Sequence, residues 1–139
     1  MRSINSLRSS RIKMKRDLEL IRAILLRVEE TPIGRSLSSP LKVDGYGDDV
    51  IAEHVRLLKE AGYIEAQLVI GFNQVGVHQV QDFSITRLLN DGHDFIADAK
   101  NPTVWKKTID FLASKGGDVS LAVVKGVAAK MAFEYFGSV

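Results

Sequence analysis

Residues 47–65 read GDDVIAEHVRLLKEAGYIE, and this stretch decides the fold. Ile51, Val55 and Leu58 recur at helical spacing, Asp48 is placed to cap the first turn, and Gly62 falls where the helix should stop. Tyr63 and Ile64 then open a strand. A helix that runs through Leu-Leu-Lys-Glu-Ala-Gly straight into a strand is the pattern of a winged-helix recognition helix entering its wing. That is a reading of fold; function has to be argued from a site.

Downstream, Ile64–Ile70 and Val77–Ile85 read as two strands around the turn 71–76, a β-hairpin that would be the wing. Upstream, Leu18, Ile21, Leu25 and Val28 share one helical face behind an N-cap at Asp17. Residues 31–47 hold two of the three prolines and read as a loop, with a short extended piece at Leu41–Val43 as the first strand of the wing sheet. Past the hairpin, Asn90 or Asp91 starts a short helix. Asn101-Pro102 stops it and starts another through Leu112, which Gly116-Gly117 ends. Ser120 caps a last helix over residues 121–136. The expected fold is α+β: a winged helix-turn-helix-like domain with a C-terminal helical extension. Residues 1–13 read as a disordered tail or an extension. Residues 14–139 read as one domain, with 14–100 as its winged-helix core and 101–139 as its C-terminal helices.

Composition narrows the function classes. The chain has 139 residues, 45% hydrophobic and 26% charged, enough for a core without staples. The absence of cysteine removes disulfides, thiol catalysis and thiolate zinc sites, and suits a cytoplasmic location. No apolar run reaches bilayer length, so no membrane partner is expected. Residues 1–16 carry six basic and no acidic side chains, while the rest of the chain sets 13 basic groups against 17 acidic ones. The basic arm reads either as a phosphate-binding segment or as a solvated terminus.

Several segments together resemble a family of short bacterial and phage proteins, domain of unknown function 2513. They are MKRDLELIR (14–22), Gly45-Tyr46, HVRLLKEAG (54–62), ITRL (85–88), GHDF (92–95), TVWKKT (103–108) and Gly116-Gly117. The resemblance covers nearly everything from Met14 on. It implies a winged-helix-like fold similar to YjcQ-type proteins, with no activity or catalytic residues to carry over. It also implies Met14 as the natural beginning. Leu89 stands where the family shows threonine, which shifts the helix cap to Asn90.

Two function classes follow from these residues. A winged helix docks on double-stranded DNA through one helix and its wing. The contacts would be Arg56 and Lys59 on the central helix and Asn73, Gln74 and His78 on the wing. Asn and Gln read adenine edges but are also ordinary turn residues. Against DNA stand Asp48, Asp49 and Glu53 on the same helix. The alternative is a protein-interaction or dimerisation module, with Leu121, Val124, Val127, Met131 and Tyr135 of the last helix either as core or as interface. His54 beside the apolar stripe reads as a packed histidine, and Trp105 as core. His93-Asp94 with Asp91 reads as a polar helix start rather than a metal or acid–base cluster, and no serine-nucleophile motif is present. No enzyme, cofactor, metal or small-molecule substrate is expected.

Overall fold

A computed structural model describes residues 15–137; the basic tail, residues 1–13, lies outside the described residues. The fold is α+β. In chain order it contains α1 (Leu18–Glu30), β1 (Leu37–Ser38), α2 (Asp48–Glu60), β2 (Ile64–Phe72), β3 (His78–Leu88), α3 (Asn90–Ala99), α4 (Pro102–Ser114) and α5 (Leu121–Gly137). The strands form an antiparallel sheet in the order β1-β3-β2. The chain divides into two compact units, one ending at Leu89 and one beginning at Asn90, so α3 groups with α4 and α5.

In the first unit α1 and α2 pack on each other, and both lie against the sheet. Leu20, Ile21, Ile24 and Leu25 of α1 and Ile51, Val55 and Leu58 of α2 are fully or almost fully buried. Ile64, Ala66, Phe83, Ile85 and Leu88 are their buried counterparts on the strands. Helix α2 ends as its sequence requires. The Gly62 N–H donates to Lys59 O and the Tyr63 N–H to Leu58 O, the two bonds of a Schellman turn, with Gly62 at φ +79°.

Three local expectations are corrected. The N-cap of α2 is Gly47, not Asp48. Asp48 is instead the first helical residue and pairs with Lys42 at 2.9 Å, while the Asp49 carboxylate accepts from the Val50 N–H. The first strand is Leu37–Ser38, not Leu41–Val43. It pairs with β3 through the backbone, with Ser39 N–H donating to Phe83 O, and hydroxyls add to the pairing: Ser38 Oγ donates to Ser84 Oγ, and Ser39 Oγ accepts from the Phe83 N–H. Leu41 is apolar because it plugs the core, 3% exposed. Finally, α1 and α2 are joined by residues 31–47, which contain β1 and no helix. A helix-turn-helix needs a turn of about 3–4 residues between its helices, so this connection is not one.

In the second unit α5 packs on both α3 and α4. Phe95 and Trp105 meet edge to face at 6.1 Å, with Trp105 buried as read from its spacing. Asn101 caps α4 by accepting from Thr103 and Val104 N–H groups, with Pro102 in the first turn. The Ser120 hydroxyl oxygen accepts from the Val123 N–H at the head of α5.

Candidate interaction surface

The hairpin β2–β3 extends past the core that holds its base. Along β2 burial falls steadily from Ile64 and Ala66, through half-buried Leu68, to exposed Ile70 and Phe72. Val69 is 57% exposed, Phe72 67%, Val75 80% and Val77 56%. Residues 66–81 carry no Asp, Glu, Lys or Arg. The far half of the hairpin therefore exposes several apolar side chains on both faces, with Gln74, His78 and Gln81 among them and no Asp, Glu, Lys or Arg; exposed apolar patches of this kind mark interaction sites.

The tip is built by Asn73. Its Oδ1 accepts from the Val75 and Val77 N–H groups, both at 2.9 Å, and its own N–H donates to Val77 O. Gly76 supplies the positive φ, +82°, that the turn requires. The Asn73 carbonyl is thus a structural cap rather than a free base-reading acceptor. Gln74 is exposed at the tip. His78 is exposed beside Phe72, ring centroids 4.5 Å apart.

The other expected DNA contacts are engaged elsewhere. Lys59 donates from Nζ to Ala66 O at 2.7 Å, and Arg56 donates from Nε to Glu60 one turn on. Lys59 therefore stands at the base of β2. Asn73 lies seven residues further along the strand, about 23 Å away at the strand rise. The five residues fall into two separate groups. Asp48 and Asp49 are exposed at the start of α2.

Elsewhere in the first unit, a polar cluster holds α1 to α2. His54 is 2% exposed; its Nδ1 donates to Val50 O and its Nε2 accepts from the Asp17 N–H, each at 2.9 Å. Only an imidazole protonated at Nδ1 alone fits these partners. Asp17 caps α1 through Oδ1 and the Leu20 N–H, and its Oδ2 accepts from the Tyr46 hydroxyl at 2.9 Å. Burial, and then the Asp17 carboxylate, push the Tyr46 phenol up to about 12. The sequence marked Asp17 as a cap and His54 as packed. It gave no sign that they meet, nor that Tyr46 joins them, because the three are spread from one helix start across a loop to the next helix.

In the second unit, Leu121, Val124 and Met131 are buried and Val127 packs half-buried against a cluster of Val104, Met131 and Ala132. Tyr135 is exposed, meets Phe136 at 4.8 Å and lies under the Lys107 ammonium at 5.9 Å. The apolar stripe named from sequence thus lies mainly inside the chain, while Val123, Phe133 and Phe136 are exposed. Asp98 on α3 has its carboxyl raised by burial and by Asp94, against a lowering from Lys125. Among the described residues no cluster of three or more His, Asp or Glu is placed to hold a metal ion. No helix among them is long and apolar enough to cross a membrane.

This chain belongs to the family described as Hypothetical protein (DUF2513), whose model matches residues 15–118. It is similar to an uncharacterized protein of Haemophilus influenzae, 34% identical over 116 residues that cover 83% of this chain and 92% of the relative. No solved structure matches it.

Proposed function

We propose that residues 15–89 are a winged-helix-type scaffold lacking the first helix of the usual reading pair, and that the hairpin is a protein-docking surface of a non-catalytic accessory protein. Helix, strand, helix and hairpin follow one another in the order such a scaffold needs. The observation that carries the reading is the hairpin's chemistry: five exposed apolar residues on a 16-residue stretch without charge. A DNA-binding wing works differently. Phosphate contacts from Lys and Arg supply most non-specific affinity, and this hairpin has none beyond Glu65 until Arg87.

Two measurements on the full chain test the proposal. Fluorescence anisotropy with mixed duplex DNA at low and moderate salt should show no salt-sensitive binding. A photo-crosslinking residue placed at Val75 should give a discrete protein adduct in cells. Salt-sensitive duplex binding weakened by changing Arg56 or Gln74, with no adduct, overturns the docking reading.

A further inference from the structure

We propose that the occupant of the hairpin surface is a second copy of this chain, joined by antiparallel pairing of β2 with itself across a two-fold axis at Ile70. The proposal rests on the docking reading above and names its partner.

Among the described residues strand β2 has β3 on one side only, because the sheet order is β1-β3-β2. An edge strand presents unpaired N–H and C=O groups, and proteins usually blunt it with charge, proline or a bulge. Residues 66–72 contain neither charge nor proline. Both irregularities of the ladder place the extra residue on β3. Thr86 is skipped between the pairs Glu65–Arg87 and Ala66–Ile85, and Gln81 between Val69–Asp82 and Ile70–Val80. β2 itself keeps an unbroken alternation, with Leu68, Ile70 and Phe72 on the core-side face and Val69 and Gly71 on the other.

A two-fold contact sets the residue on the axis against its own copy and brings its neighbours close to theirs. Any charge there would face itself, and an uncharged stretch is what such a contact requires. Alternation restricts the register, since directly opposed residues must share a face. Centred on Ile70, the pairing sets Leu68 against Phe72 of the second copy and Val69 against its Gly71, which has no side chain to crowd it. Centred on Val69, Phe72 would face Ala66, whose carbonyl Lys59 already holds. The open edge ends at the Asn73 turn.

Within the paired residues Val69, Ile70 and Phe72 are 57%, 42% and 67% exposed, so the contact would cover apolar side chains on both faces of the strand.

Sedimentation velocity of the full chain over a concentration series tests this, with variants Ile70→Lys and Ile70→Glu. Ile70 is already 42% exposed, so both should keep the wild-type circular dichroism and melting. Wild type should sediment as two chains in the micromolar range. Each variant alone should weaken association at least about tenfold, and an equimolar mixture should restore it, because lysine then faces glutamate. Should either variant misfold, Val69→Lys, on the opposite face, takes its place and should also weaken association. A wild-type chain that sediments as one chain, a variant that still pairs, or a mixture that fails to pair overturns the proposal. The Val75 crosslink separates the two readings. An adduct to a different protein, with wild type monomeric, leaves docking standing and removes self-pairing. No adduct and a monomer remove both.

Discussion

Replacing Tyr46 by phenylalanine removes one oxygen from the cluster that joins α1 to α2, and its consequences depend on pH. The Tyr46 hydroxyl donates to Asp17 Oδ2 at 2.9 Å, and its phenol is raised to about 12 by burial and that carboxylate. A group whose proton is held more tightly in the folded state stabilises the fold fully below its unfolded pKa, about 10 for tyrosine, and loses that contribution as pH climbs through the folded value. Two units correspond to a ceiling of about 2.7 kcal/mol. Tyr46 is partly solvated, so about 1–1.5 kcal/mol is the expected size after screening. The Tyr46→Phe variant should therefore be less stable than wild type by that amount at pH 7–9. The gap should close between pH 10 and 12. Urea unfolding followed by far-ultraviolet circular dichroism, with both proteins at every pH, cancels the titration they share. Phenolate absorbance of the wild type should also contain a late step near pH 12 that the variant lacks. A gap that stays constant to pH 12, or a late step that survives the substitution, refutes the assignment.

Other expectations follow from the same geometry. His54→Ala should cost about 2–4 kcal/mol in chemical denaturation, since it empties a buried site and leaves the Asp17 N–H without its acceptor. Gly62→Ala should cost about 1–2 kcal/mol by the same assay. A Cβ there meets open space, so the whole cost is the backbone's φ of +79°. Asp98→Asn should stabilise the fold at neutral pH. The raised carboxyl favours the fold only below its unfolded pKa and loses that contribution as pH rises, so the variant's advantage should vanish as pH falls below about 4 in thermal melts.

Much of the architecture was legible because it depends on local rules. Gly62, Asn101-Pro102 and Asp17 act through backbone geometry and capping within a few residues, and each sits where its chemistry placed it. Strand β1 was not legible. Its partner is β3, more than forty residues away, reached through backbone and serine hydroxyl bonds, whereas Leu41 and Val43 carried the apolar signal. The last helix read correctly as apolar. Which flank is buried is set by α3 and α4, so the stripe from Leu121 to Met131 could be read as either core or interface. The hairpin was located, but its chemistry was read residue by residue. Asn73 Oδ1 and the Lys59 ammonium each make bonds within the fold itself. The unbroken absence of charge over 66–81 was the more informative signal, and it is visible in the sequence.

The Schellman turn at Gly62 also has a mechanical consequence. Tyr63 and Ile64 are buried immediately beyond it, 4% and 1% exposed, so there is no slack between α2 and the strand that follows. Strand β2 therefore leaves α2 without a free linker, and α2 itself packs on both strands of the hairpin. The same helix carries His54, whose imidazole accepts from the Asp17 N–H, so one rigid element braces the hairpin at one end and the first turn of α1 at the other.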